Sequence, residues 1–288
     1  MPPFDPSIST FSPTNAWWLS ELCRIAYTPD GKEAGRFWHR DKPSRHDYLD
    51  RHTPFREVLN LHKTGNHVSL YRLADREGAV LCFRGTSKLR QWLMNLTALP
   101  ATWTRASETD RGICVHQGFQ ILFNRVWPLI EPSLVDLGGP LILTGHSLGG
   151  AFATLAAVAF SGSVTSLVTF GSPRVGNEAF VQQLAGLPIQ RIVNHHDIVP
   201  LLPQRDEKLG ERDFRHAGDL YYLGQEIRVL HAQSGPEISG DPAWEPVDPL
   251  DFLRQSLGRP EPPECLLDHA PTAYSEKLRA LAKAVNLT

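Results

Sequence analysis

One serine in this chain sits where few side chains would fit. The stretch Leu141-Ile142-Leu143-Thr144-Gly145-His146-Ser147-Leu148-Gly149-Gly150-Ala151 sets Ser147 between Gly145 and Gly149. A short apolar run precedes it, and a small-residue apolar segment long enough for a helix follows to Phe160. This is the G-x-S-x-G pattern, with its strand before and its helix after. On such a turn a bulky neighbour at either glycine would collide with adjacent backbone. The serine Oγ is lifted out of the sheet toward the helix N-terminus, where unpaired N–H groups can stabilise an oxyanion. The plain alternative is a Gly-rich turn with an incidental serine; five matching positions in the matching context favour the nucleophile.

The flanking pattern supplies the sheet that such a turn needs. Ala79 to Phe83 is a continuous apolar run, as a strand buried on both faces requires, and it ends in Arg84-Gly85-Thr86-Ser87. Val164 to Phe170 and Ile189 to Val193 read as further strands, and His67 to Leu73 alternates as a half-buried one. Helical spacing is predicted from a Thr14-Asn15 cap to Ala26, from Val115 through Ile130, after Asn177, and over Tyr274, Leu278, Leu281 and Val285. Lys32 to Arg56 reads as irregular, Asp219–Gly224 with Glu226–Leu230 as a hairpin at the sheet edge, 234–249 as a surface loop, and Phe252–Leu257 as a short helical piece. Strands alternating with helices predict an α/β fold with a mostly parallel central sheet flanked by helices, in a single domain over residues 1–288. Between Lys88 and Trp103 the apolar residues Trp92, Leu93, Leu96 and Leu99 fall near helical spacing. That suits either a packed helix or a mobile cover whose apolar face fits a lipid interface.

Composition excludes several classes. A formal net charge of -2 gives no electrostatic reason for a nucleic-acid partner. The cysteines Cys23, Cys82, Cys114 and Cys265 lack C-x-x-C spacing, and His39, His46, His52, His62 and His67 lack the spacing of zinc enzymes. No metal and no cofactor are therefore expected. No run reaches the roughly 18 apolar residues of a membrane span. Met1 to Pro13 has no basic segment followed by an apolar core, so no signal peptide is expected and a cytoplasmic location is the default expectation.

A serine hydroxyl needs a base to take its proton, and the base needs an acid to hold its tautomer. In this fold the chain order is Ser, then Asp or Glu, then His. Asp197 follows a strand two βα units after Ser147, on the same sheet edge; Asp206, Asp213 and Asp219 are its rivals. For the histidine, His216, His231 and His269 all follow Asp197, and His269 lies directly before the final helix, where a loop can swing it over the serine. The oxyanion donors should be the N–H of Leu148 and a group from Gly85-Thr86-Ser87.

These residues resemble a family. Phe83-Arg84-Gly85-Thr86-Ser87 with Trp92, Val115-His116-Gln117-Gly118-Phe119, Gly145 to Ala151, Pro173-Arg174-Val175-Gly176-Asn177 and Asn194-His195-His196-Asp197-Ile198-Val199-Pro200 are similar, in order, to the blocks of the class 3 lipases. The likeness spans roughly residues 65–225. It implies an α/β-hydrolase fold, Ser147 as nucleophile, Asp197 as orienting acid, and Thr86 with Leu148 as oxyanion donors. It also implies a lid over 88–104 carrying Trp92, with His146 expected on the substrate side. His269 matches the family's catalytic histidine in having Asp268 before it. The implied activity is hydrolysis of lipid carboxylic esters (tri-, di- or monoacylglycerol) through an acyl-enzyme, with transient contact at a lipid–water interface. A phospholipase A1, a short-chain or aromatic-acyl esterase, and a catalytically silent lipid-binding scaffold are the alternatives.

Overall fold

The computed structural model describes residues 3–27, 45–63, 66–86, 99–105, 112–224, 229–232 and 264–285. Ser87, Trp92 and most of the expected lid, the 234–249 loop and the Phe252–Leu257 piece lie outside the described residues.

Ten strands and seven helices are described, besides short 3₁₀ turns. In chain order they are α1 (Pro13–Ile25), α2 (Arg45–His52), β1 (Phe55–Lys63), β2 (Asn66–Leu73), β3 (Ala79–Phe83), β4 (Pro100–Thr102), β5 (Cys114–His116), α3 (Gln117–Ile130), β6 (Leu141–His146) and α4 (Leu148–Ala159). After these come β7 (Ser166–Phe170), α5 (Glu178–Gln182), β8 (Ile189–Asn194), β9 (Asp219–Leu223), β10 (Val229–Ala232), α6 (Glu264–Asp268) and α7 (Pro271–Val285). Eight strands form one sheet in the order β1-β2-β3-β6-β7-β8-β9-β10. The run β3-β6-β7-β8-β9 is parallel, with antiparallel pairs at both edges. β4 and β5 make a separate two-stranded ribbon.

The apolar runs are continuous because both faces of the sheet are covered. Side chains alternate along a strand, so Leu81, Phe83, Leu143 and Leu167 enter one core with Phe119, Phe123, Trp127 and Phe152 from α3 and α4. Val80, Cys82, Ile142, Val168 and Ile192 enter the other with Trp17, Leu22, Tyr274 and Leu278 from α1 and α7. Trp127 and Phe123 are fully buried, each contributing roughly 1.5–3 kcal/mol or more by burial. The four cysteines are free and buried, with Cys23 Sγ 3.8 Å from Cys82 Sγ. Among the described residues no helix is long and apolar enough to cross a membrane.

Three local expectations change. The cap of α1 is Ser12, whose Oγ accepts from Asn15 N–H at 3.3 Å, with Pro13 inside the first turn, rather than Thr14-Asn15. The stretch read as irregular contains α2 at its end. Strand β1 begins at Phe55, and its exposed-to-inward alternation is hidden in the sequence because Glu57 occupies an inward position. That carboxylate is bearable there because the buried Arg45 of α2 donates to it, and also to Ser69 Oγ at 2.7 Å.

Burial also leaves His67, His146 and His216 neutral. For His67, burial and then the Arg45 and Arg84 guanidinium groups push the pKa down to about 3. For His146, burial first and His269 second, and for His216, burial first and the Arg191 and Arg174 guanidinium groups next, drive it well below the ordinary value. An unfolded histidine titrates near 6.5, so below that pH the unfolded chain takes up protons that the native chain refuses. Stability is therefore complete above about pH 6.5 and falls as the pH drops toward the folded pKa values, by up to about 1.4 kcal/mol per pH unit for each such histidine. Denaturant titrations at stepped pH measure this; a flat stability from pH 6.5 to 5 would contradict neutral burial.

Candidate active site

The turn after β6 carries Ser147 at φ 60° and ψ -132°, a backbone region that costs a non-glycine residue of order 1–3 kcal/mol. Its neighbours show why glycines surround it. A Cβ on Gly145 would lie 2.2 Å from Gly149 O, and one on Gly149 would lie 2.0 Å from Phe83 O. The turn thus packs directly on the end of β3 as well as on the first turn of α4. Ser147 N–H donates to Phe170 O at 2.9 Å, which pins the elbow to β7.

Asp197 stands just past β8 and is fully buried. Its carboxylate accepts from His269 Nδ1 at 2.9 and 2.8 Å, from Tyr274 Oη at 2.5 Å and from Val199 N–H at 2.9 Å. Three donors compensate the cost of taking this charge out of water. Because an ionised carboxylate only accepts, Nδ1 of His269 carries the proton, and Nε2 is left with its lone pair. Both His269 Nε2 and Ser147 Oγ are buried without a hydrogen-bond partner. They are the candidate base and nucleophile, and catalytic hydrogen bonds of this kind commonly tighten only once substrate is bound. The Tyr274 hydroxyl accepts in turn from Asn194 N–H at 3.0 Å, and burial, then Asp197, hold its pKa well above the ordinary phenol value. Gly171, at φ +55°, admits the whole cluster: a Cβ there would fall 2.4 Å from Asp197 Oδ2 and 3.0 Å from His269 Nδ1.

The loop bearing His269 is strapped to the end of β8. Asp268 Oδ2 accepts from His195 Nδ1 at 2.9 Å and from His196 N–H at 3.2 Å, while Asp268 O accepts from Asn194 Nδ2 at 2.8 Å. His195 follows β8 at φ 41°, a left-handed conformation. The Asp-His pair therefore has a mechanical meaning: the aspartate fixes the turn that presents the base.

On the other side, the turn after β3 lies against the nucleophile. A Cβ on Gly85 would be 2.9 Å from Ser147 Cβ, and Thr86 is the next residue. Leu148 opens α4, so its N–H is one of those with no intrahelical acceptor. Gly85, next to Thr86, thus packs on Ser147 while Leu148 offers a free helix N–H directly after it; donors of this kind are what an oxyanion requires. Tyr27, at the end of α1, bonds His146 Nδ1 through its hydroxyl at 2.9 Å and takes a further bond from Gly85 backbone. His146 Nε2 lies 2.7 Å from His269 O, so Nε2 carries its proton and Nδ1 accepts from Tyr27.

Both ring nitrogens of His146 are therefore taken by protein partners. His146 is 2% exposed, with its ring 4.5 Å from that of His269, and it braces the elbow against the histidine loop. Among the rivals, His216 Nε2 bonds Pro200 O at 2.8 Å, Asp206 caps a 3₁₀ turn, Asp213 is paired with Arg205 and Arg215, and Asp219 opens β9. The His231 side chain and Trp92 lie outside what is described. Three contributors had no functional signal in sequence: Tyr27, Tyr274 and Gly171. The first two are aromatic residues in or just after helices, where the spacing indicates only packing.

The family described as Lipase (class 3) matches residues 80–207. That stretch holds Thr86, Ser147, Leu148 and Asp197 and stops short of His269, which geometry alone places. A lipase of Rhizomucor miehei is 35% identical over 157 residues, covering 50% of this chain and 41% of that protein. A secreted mono- and diacylglycerol lipase of Gibberella zeae is 30% identical over 190 residues, covering 54% of this chain and 45% of the other. The solved structure of the Rhizomucor miehei triacylglyceride lipase superposes with a TM-score of 0.65 at 25% identity, over 89% of this chain and 92% of that one. The chain spans less than half the length of the curated relatives it matches. The architecture is the α/β-hydrolase fold.

Proposed function

We propose that this chain, a member of the class 3 lipase family, hydrolyses carboxylic esters of lipids, with acylglycerols as the leading substrates. The observation that carries this reading is the buried Asp197–His269 pair, which leaves His269 Nε2 with its lone pair, in a chain that holds Ser147 on a strained elbow. Nε2 takes the Ser147 proton as Oγ attacks the ester carbonyl. The oxyanion of the tetrahedral intermediate is held by backbone from Thr86 and Leu148. Collapse expels the alcohol with the proton returned from His269 and leaves an acyl-serine, which water cleaves by the same steps in reverse order. Removing one oxyanion donor typically costs about a hundredfold or more in rate.

Ser147 is 1% exposed, so an ester reaches Oγ only after a cover moves. The cover is proposed to be the 88–104 segment, whose described end, β4, pairs with β5 at the start of α3. Contact with a lipid–water interface belongs to the same proposal. A hydrolysis panel of acylglycerols and nitrophenyl esters of graded chain length, with a diacyl phospholipid included, tests the reading. Faster turnover of acylglycerols, rising sharply above their aggregation concentration, is expected. Preference for the phospholipid would point to a phospholipase A1; preference for short monomeric esters with no rise would point to an esterase.

A further inference from the structure

A cavity of about 10 Å³ lies between β7, β8 and the segment leading into β9, and its lining includes Thr169, Ser172, Arg191, Arg215 and His216. Strand alternation aims two of these residues at it. Leu167 and Ile189 are register partners that enter the core on the α4 face. Thr169 and Arg191, two residues further along and again partners in register, therefore project to that same face. Both are buried, and both have unused donors. Arg191 is 8% exposed and donates only from Nε, to Gly218 O at 3.4 Å, so neither Nη has a partner among the described residues. Thr169 is 2% exposed, and its hydroxyl likewise bonds none of the described residues.

Charge decides which occupant fits. Burial, then repulsion from Arg174, pushes the Arg191 pKa down to about 10, and Asp219 attracts the guanidinium only from beyond ion-pair range. Arg215 is spent on Asp213, and His216 Nε2 on Pro200 O. A guanidinium taken out of water is costly unless an anion or several acceptors replace the water. A water would bridge the Nη groups and the hydroxyl without touching the charge; an anion does both. The volume admits one occupant of about water size, which excludes phosphate, sulfate and carboxylates and leaves a halide. We propose that Arg191 and Thr169 hold a chloride ion in this cavity, which neutralises the buried guanidinium and ties β7 to the strand that delivers Asp197. Its occupancy stabilises the native chain by mass action and is independent of which ester the active site takes.

The test uses the full chain, dialysed into sodium gluconate and titrated with sodium chloride at constant ionic strength and neutral pH. A saturable rise in melting temperature of about 2–4 °C, with a midpoint in the millimolar range, is expected, and sodium bromide should reproduce it. Arg191→Met should remove the chloride dependence whatever its own melting temperature, because methionine brings no donor into the cavity. Crystals grown in bromide decide the matter if that variant does not fold. A bromine anomalous peak in contact with an Arg191 Nη and with Thr169 Oγ1 is expected. Equal melting temperatures in chloride and gluconate, a chloride dependence unchanged in Arg191→Met, or water alone in the cavity of the bromide crystals would each overturn the proposal.

Discussion

Replacing Ser147 by alanine is expected to lower turnover of a nitrophenyl ester by about 10⁴- to 10⁶-fold while leaving the protein folded. The activity loss follows from removing the attacking atom, after which only binding and the oxyanion donors remain. The retained fold follows from the structure. Ser147 Oγ makes no hydrogen bond, so alanine breaks none, and the positive φ of 60° strains alanine about as much as serine. A change in stability within about 1 kcal/mol is expected. Turnover and a thermal melt on the same preparation measure both halves. Activity within tenfold of the parent chain would remove Ser147 from the role of nucleophile.

Asp197→Asn is expected to cost about ten-thousandfold in turnover. The carboxylate is surrounded by donors only: His269 Nδ1, Tyr274 Oη and Val199 N–H. An asparagine presents one N–H₂ face into that ring of donors, where it has no acceptor except an imidazole nitrogen. His269 then relieves the clash by moving its proton to Nε2, the tautomer that cannot accept from serine. Tyr274→Phe separates this effect from simple loosening. It removes one donor to Asp197 but leaves the carboxylate on Nδ1, and a loss of about tenfold is expected from one charge-assisted hydrogen bond. Equal losses in the two variants would mean that packing, and not the tautomer, is what Asp197 provides.

The sequence made the elbow and the central sheet legible for a physical reason. A strained turn packed on two backbones leaves no residue but glycine at 145 and 149, and strands covered on both faces leave no room for polar alternation. The position of Asp197 just past β8 follows from strand order, as the structure has it. His269 was narrowed by chain order and by the late loop, and its bond to Asp197 places it with the acid.

What stayed hidden depends on contacts between residues far apart in the chain. Tyr274 lies at the spacing of a buried helix face, and its pairing with Asp197 across 77 positions has no local signature. Tyr27 reaches His146 across 119 positions. The bonds of His146 to Tyr27 and to the His269 backbone, across 119 and 123 positions, likewise have no local signature. Strand β1 was lost because Glu57 points inward, which a pattern of apolar residues cannot anticipate without Arg45 beside it. Gly171 shows the limit from the other side. It looks like any turn glycine, yet no larger residue would leave space for Asp197 and His269 to meet.

Labelling with an alkyl fluorophosphonate, followed by peptide mass spectrometry, tests the central claim most directly, because the reagent is attacked only by a serine activated by its base. One label per chain on the peptide containing Ser147, with activity lost in parallel and no label in Asp197→Asn over the same time, is the expected result. A label on another serine, or an active chain that takes up none, would contradict it.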